Sequence, residues 1–203
     1  TDELPLELPE TKNFITVMAK AAKADVIPVD IGIASDISVK GLRSKKIAYG
    51  TQNMLHAPAM TKEQTLQALQ VGIDLVAELK QEGYRLIATG EMGIGNTTTS
   101  SAIASVLLKV PVEKVTGKGA GLSSDGLRHK VDVIEQAIKK HKPNCNDPID
   151  VLSKVGGLDI AGMTGLFLGG AIHRVPVVID GFVSGAAALL AANICPKVQP
   201  YLI

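Results

Sequence analysis

Three short hydrophobic runs predict buried strands. They cover residues 26–33, 85–89 and 175–180, and each is mostly apolar, as a strand buried on both faces requires. Elsewhere apolar residues recur at spacings of three and four, which predicts helices. The predicted helices span residues 14–23, 61–83, 97–110, 124–141, 147–156, 158–172 and 181–194. Strands that alternate with helices favour an α/β fold in which a parallel sheet carries helices on both faces.

Local signals set the limits of several segments. Residues 1–13 predict an extended lead-in because proline and acidic residues follow each other closely, and residues 14–203 then form one domain. Thr61 and Gln64 have the spacing of a capping box, and Gly83 supplies the end of the same helix. The basic residues 40–46 predict a solvated loop.

Charge and composition argue against some classes of function. Twenty-one basic residues against 20 acidic ones give a net charge of +1, whereas phosphate-neutralising nucleic-acid binders carry a large basic excess. Without Trp, and with three Phe and three Tyr, the chain is poor in side chains that stack on bases. Four histidines lack the spacing of metal ligands, so we predict neither a metal nor a cofactor.

Two further features of the sequence indicate the cellular location of the protein. Residues 175–194 are the most apolar stretch, but Asp180 interrupts them, which argues against a membrane-spanning helix. Cys145 and Cys195 are too few for a disulfide framework. We therefore expect a soluble, cytoplasmic protein without a nucleic-acid or membrane partner.

A glycine-rich loop at residues 90–95 joins a predicted strand to a predicted helix. Its spacing, G-x-x-G-x-G, matches neither the dinucleotide fingerprint nor a Walker A loop. Asn96, Thr97 and Thr98 follow it and present N–H and hydroxyl groups where the helix begins, an arrangement that suits an anion. The alternative is a tight turn with Asn or Thr as the N-cap, and composition alone favours it.

A second glycine loop, residues 117–121, precedes the helix that carries Lys130. Lys130 borders the apolar face of that helix, so its ammonium has the reach to join the same cleft as a phosphate partner. Alternatively, the side chain extends to solvent, as isolated lysines commonly do.

Three acidic residues stand at or near predicted strand ends: Asp30, Glu91 and Asp180. Ligands bind at the carboxyl ends of strands in open α/β sheets, so these residues are expected at one edge. Each also has a structural alternative, in which it caps backbone N–H groups of the following turn.

Residues 90–98 resemble the nicotinate-nucleotide–dimethylbenzimidazole phosphoribosyltransferases of cobalamin lower-ligand synthesis, the CobT family. Further segments agree with that family in order and spacing, namely residues 29–33, 53–60, 130–133 and 150–182. The resemblance covers nearly all of residues 14–203. It implies a Rossmann-like three-layer α/β/α fold, a homodimer, and small-molecule substrates.

The reaction implied is transfer of a 5-phosphoribosyl group from nicotinate mononucleotide to 5,6-dimethylbenzimidazole. Glu91 would then be catalytic and stabilise positive charge at ribose C1′. The glycine loops and Lys130 would hold the 5′-phosphate, while Asp180 supports the ribose or orders the loop. The implied substrate-binding residues are Gly93, Gly95, Asn96, Thr97, Thr98, Gly117, Gly119, Lys130, Asp180 and Gly181.

Two departures from the family leave alternatives open. Thr99 stands where the family often has proline, a change that the first turn of a helix tolerates. Family members extend beyond both ends of this sequence, and the expected general base, a glutamate, belongs to a downstream segment. The alternatives are transfer to a different lower-ligand base, or an inactive fragment or paralogue that only binds nucleotide.

Overall fold

Helices dominate the computed structural model, which describes residues 14–119 and 121–203. The predicted lead-in, residues 1–13, lies outside the described residues. The α-helices are α1 (Phe14–Ala21), α2 (Lys62–Gln81), α3 (Asn96–Leu108), α4 (Ser124–His141), α5 (Pro148–Val155), α6 (Leu158–His173) and α7 (Gly181–Ile194). Short 3₁₀ helices cover Val112–Val115 and Pro196–Tyr201. The helix periodicity of the sequence therefore predicts the positions of these helices well.

The strands form two parallel pairs. The first joins β1 (Val29–Asp30) to β2 (Arg43–Ser44), and the second joins β3 (Ile87–Ala88) to β4 (Val177–Val178). This is an α/β arrangement with parallel strands, as predicted, but each strand is shorter than its hydrophobic run. The runs are also less buried than predicted, since Val26 is 41% exposed and Leu86 is 57% exposed, while the Ile31 side chain packs against Gly162 of α6.

The prediction of a solvated loop at residues 40–46 is wrong. The Arg43 N–H donates to the Pro28 carbonyl at 2.9 Å, and the Lys45 N–H donates to the Asp30 carbonyl at 2.8 Å, so β2 forms within this segment. Its basic side chains pair with acids at the C-terminal end of α2: Lys45 with Glu78 at 2.7 Å, and Arg43 with Glu82, the C-cap residue, at 2.7 Å. A basic run can therefore belong to a sheet when a neighbouring helix supplies the opposite charge.

Helix α2 begins and ends where its sequence signals place it. Thr61 Oγ1 accepts the Gln64 N–H at 3.0 Å, and Gln64 Oε1 accepts the Thr61 N–H at 2.9 Å, which is the predicted capping box. Gly83 follows with φ +105°, a left-handed conformation that glycine adopts without strain. The helix is thereby fixed at both ends.

The core is built around the contact between α2 and α6, where backbones touch. A Cβ on Gly72 would lie 2.0 Å from the Gly162 carbonyl oxygen, and one on Gly165 would lie 2.0 Å from the Leu69 carbonyl oxygen. The close approach explains the small residues of α6, and Phe167 of the same helix is fully buried. This packing fixes where the N-terminus of α6 lies. None of the described helices is both long and apolar enough to span a bilayer.

Candidate active site

The first glycine loop ends in a helix N-terminus that no side chain caps. Gly95 is the N-cap residue of α3, with φ +83°, and α3 begins at Asn96. The interpretation in which Asn96 or Thr97 caps the helix is therefore wrong. Because a helix N-terminus carries orphan N–H groups and the positive end of the dipole, this end of α3 suits an anion.

Lys130 of α4 lies against this helix end. Its Nζ donates to Thr97 Oγ1 at 2.8 Å and to the Gly117 carbonyl at 3.2 Å. The residue is 7% exposed, so it does not extend to solvent, and burial lowers the pKa of its ammonium below the usual lysine value. Within residues 14–119 and 121–203 no acidic side chain forms a salt bridge with it. A buried, uncompensated cation at a helix N-terminus makes this place ready for an anion.

The second glycine loop packs directly onto the same place. A Cβ on Gly119 would lie 3.0 Å from Thr97 Oγ1 and 3.5 Å from Lys130 Nζ, and Gly119 has φ +58°. Both the space and the backbone conformation favour glycine there. The structure thus brings Gly117, Gly119, Lys130 and Thr97 together around one helix end.

A group of polar side chains lies one residue earlier on α3. The side-chain nitrogen of Asn96 donates to Glu91 Oε2 and, at 2.8 Å, to Asp159 Oδ2. Asn96 is buried and Glu91 is exposed. A Cβ on Gly93 would lie 2.2 Å from Asp159 Oδ2, so the loop needs glycine to approach the carboxylate. Two carboxylates therefore lie at the same end of α3 as Thr97, the hydrogen-bond partner of Lys130.

Asp180 and Gly181 follow β4, the partner of the strand that leads into the first glycine loop. The Asp180 N–H donates to Thr89 Oγ1 at 3.3 Å and to Ser184 Oγ at 3.2 Å, while the residue itself is exposed. Gly181 has φ +73° and begins α7. Asp180 thus stands at the same strand edge as the first glycine loop, with its backbone held and its carboxylate in solvent.

Asp30 does not join them, because it belongs to the other strand pair. Its Oδ1 accepts the N–H groups of Gly32 and Ile33 at 3.0 and 2.9 Å, and its Oδ2 pairs with Lys46 at 2.9 Å. The residue is 1% exposed. The structural alternative is therefore the right one for Asp30, and the expectation of three acids at one edge is wrong for it.

Sequence reasoning missed Asp159. The only local signal is an acid in the first turn of a helix that follows Gly156 and Gly157, a common position for an acid. Its partner Asn96 lies 63 residues away in the sequence. Only the tertiary fold shows that the two residues meet.

Comparison with known proteins shows which proteins this chain resembles. A family model described as phosphoribosyltransferase matches residues 6–203. The nicotinate-nucleotide–dimethylbenzimidazole phosphoribosyltransferase of Clostridium acetobutylicum is 52% identical over 199 residues, which are 95% of this chain and 56% of that protein. The protein of the same name from Ruminiclostridium cellulolyticum is 48% identical over 199 residues, with the same shares covered.

A solved structure is also similar to this chain. CobT from Thermus thermophilus superposes with a TM-score of 0.89 at 35% identity, over 94% of this chain and 57% of that one. The chain thus spans about 56% of the length of the relatives it matches.

Proposed function

This chain belongs to the nicotinate-nucleotide–dimethylbenzimidazole phosphoribosyltransferase family, and on that premise we propose the activity of the protein. The protein transfers the 5-phosphoribosyl group from nicotinate mononucleotide to 5,6-dimethylbenzimidazole, which yields α-ribazole 5′-phosphate and nicotinate for cobalamin synthesis. The observation that carries the proposal is the buried ammonium of Lys130 at the α3 N-terminus, the same helix end at which Asn96 holds the carboxylate of Glu91.

The 5′-phosphate occupies the end of α3 in this proposal. Lys130 supplies a positive charge, Thr97 a hydroxyl, and the helix its N–H groups and dipole. A side chain at position 119 would press on Thr97 Oγ1 and Lys130 Nζ, the two side-chain groups that bind the phosphate in this proposal. The burial of Lys130 supports the assignment because a buried cation gains more from an anionic ligand than a solvated one does.

Glu91 acts on the ribose. When nicotinate leaves, the bond between C1′ and the pyridinium nitrogen breaks and its electron pair goes to that nitrogen. Positive charge then develops at C1′ and the ring oxygen, and a fixed carboxylate stabilises it more than it stabilises the bound substrate. Glu91 is exposed at the start of the loop, so its carboxylate is accessible to a ribose whose phosphate is held at Lys130.

The acceptor completes the reaction. A ring nitrogen of dimethylbenzimidazole bonds to C1′, and the proton of the ring passes to a general base. By resemblance to the family, that base is a glutamate of a segment downstream of the residues matched here. Asp180, exposed at the β4 end, supports the ribose hydroxyls.

The family resemblance also supports a homodimer, a cytoplasmic location and a three-layer Rossmann-like arrangement. The parallel pairing of β3 with β4 is in keeping with that arrangement. Helix α7 packs on α6 and α3 and buries most of its apolar residues there, so we assign the dimer contact to another surface.

The test is turnover by the full-length protein. Nicotinate mononucleotide and 5,6-dimethylbenzimidazole are incubated with it, and nicotinate and α-ribazole 5′-phosphate are separated by chromatography and identified by mass. Equal amounts of both products support the proposal. Product only with another base, such as adenine or a phenol, corrects the acceptor. Nucleotide binding without turnover on any acceptor refutes it and identifies a protein that only binds nucleotide.

A further inference from the structure

One buried amide holds two carboxylates in the candidate active site. The Asn96 side-chain nitrogen donates to Glu91 Oε2 and to Asp159 Oδ2. Ionised carboxylates only accept hydrogen bonds, and a primary amide nitrogen has two hydrogens to give. Both N–H groups of the Asn96 amide are therefore used, and its orientation is set by the two acids.

The two acids differ in how firmly they are held. Asp159 lies in the first turn of α6, where the helix dipole favours a negative charge. Its carboxylate is wedged between two glycines, since a Cβ on Gly157 would lie 2.6 Å from Oδ1 and one on Gly93 would lie 2.2 Å from Oδ2. Glu91, in contrast, is exposed in a loop. The position of the Asp159 carboxylate is therefore set by its surroundings, whereas the position of the Glu91 carboxylate depends on its hydrogen bond to Asn96.

We propose that Asp159 and Asn96 are positioning residues for Glu91. Asp159 fixes the amide of Asn96, and the amide then holds the Glu91 carboxylate in one orientation at the mouth of the site. What Glu91 does there, stabilising charge at C1′, rests on the proposed function. The hydrogen-bonded chain itself does not depend on it.

The experiment uses the full-length protein with nicotinate mononucleotide and dimethylbenzimidazole. Asp159→Ala removes the fixed end, so kcat falls by about tenfold or more while the KM for nicotinate mononucleotide changes by less than about threefold, since only the reacting geometry is lost. Asp159→Asn keeps an amide oxygen that accepts from Asn96, and its kcat stays within about threefold of the wild type. Asn96→Ser keeps a donor too short to reach both acids and repeats the loss of kcat.

The control matches the helix position. Glu63 is an exposed acid at the second residue of α2, as Asp159 is at the second residue of α6. Glu63→Ala removes the same favourable charge from a helix N-terminus and leaves kcat unchanged. Any decrease in melting temperature that Asp159→Ala and Glu63→Ala share is then caused by the loss of a negative charge at a helix N-terminus.

Two results overturn the proposal. One is an unchanged kcat in Asp159→Ala. The other is an equal loss in Asp159→Asn, because it would assign the effect to the charge of Asp159. A crystal structure of Asp159→Ala decides independently of activity: the Glu91 carboxylate turns away from its wild-type position if the proposal holds and stays in place if it fails. That readout remains decisive even if the wild type makes no α-ribazole 5′-phosphate, which would count against the proposed function alone.

Discussion

Replacing Lys130 by methionine separates the stability of the site from its affinity. Methionine keeps most of the length and volume of the side chain and removes the charge, so α4 stays packed against α3. The free protein loses a buried ammonium that has no acidic partner within the described residues. A buried charge of this kind destabilises the fold, and we expect the melting temperature of the free variant to equal or exceed that of the wild type.

In contrast to its stability, the affinity of Lys130→Met for nicotinate mononucleotide is expected to fall. A hydrogen bond to a charged group contributes about 1.5–3 kcal/mol, so losing the ammonium–phosphate contact weakens nicotinate mononucleotide binding roughly 10- to 150-fold. Lys139→Met is the matched control, because Lys139 is an exposed lysine of the same helix and its removal changes the net charge equally. We expect that control to bind nucleotide with wild-type affinity.

The pH dependence gives a second signature. Burial lowers the pKa of the Lys130 ammonium, so in the free protein it releases its proton at a lower pH than exposed lysines do. Two effects follow as the pH rises from the lowered pKa towards 10.5, the ordinary lysine value: the stability of the free wild type increases, and its affinity for nucleotide falls. Lys130→Met shows neither effect.

The assays are titration calorimetry with nicotinate mononucleotide and thermal unfolding at several pH values. Unchanged affinity in Lys130→Met would remove Lys130 from the phosphate site. A large drop in the melting temperature of the free variant, by more than the control, would show that Lys130 is a structural residue whose hydrogen bonds to Thr97 and Gly117 outweigh the burial of its charge.

Three further outcomes concern catalysis, packing and assembly. Glu91→Gln lowers kcat about 10²-fold with little change in calorimetric affinity, and a loss of affinity with unchanged kcat would contradict its role at C1′. Gly72→Ala lowers the free energy of unfolding by about 1–3 kcal/mol or more, because the new methyl group meets the Gly162 carbonyl. Its control, Gly185→Ala in α7 with open space around it, raises that free energy by about 0.5–1 kcal/mol, as denaturant titration will check. Sedimentation equilibrium gives a dimer at micromolar concentration, and a stable monomer would refute the proposed assembly.

The helices follow from the sequence because their signals are local. The capping box of α2 is formed, and Asp147 Oδ1 caps α5 by accepting the N–H groups of Ile149 and Asp150. The strands are predicted less well, since a hydrophobic run looks the same whether it pairs with another strand or packs against a helix. β2 is not predicted because the charge of Arg43 is neutralised by Glu78 of α2 and by Glu82, the C-cap residue of that helix, which lie 35 and 39 residues away.

Some residues of the candidate site can likewise be predicted from the local sequence, and others cannot. Loop composition predicts that Thr97 and Gly119 lie near helix N-termini. The place of Lys130 at the border of an apolar helix face predicts that it has the reach to join the same cleft, although whether it is buried or solvated depends on tertiary packing. Asp159 is not predicted because nothing in the neighbouring sequence distinguishes it from any other acid in the first turn of a helix. Its importance comes from Asn96, a residue of another helix.

The backbone contact between α2 and α6 links distant mutations to the site. A methyl group on Gly165 would lie 2.0 Å from the Leu69 carbonyl oxygen, and ordinary contact at about 3.4 Å requires the helices to separate by about 1.4 Å. If α6 moves as a rigid rod, Asp159 moves with it, and a displacement of that size is enough to disrupt its 2.8 Å hydrogen bond to Asn96. We therefore expect substitutions at the buried contact between α2 and α6 to lower kcat, as substitutions in the candidate active site do. The glycines of α6 thus set the position of Asp159 from a distance, and we expect variants that lose activity without contacting substrate among them.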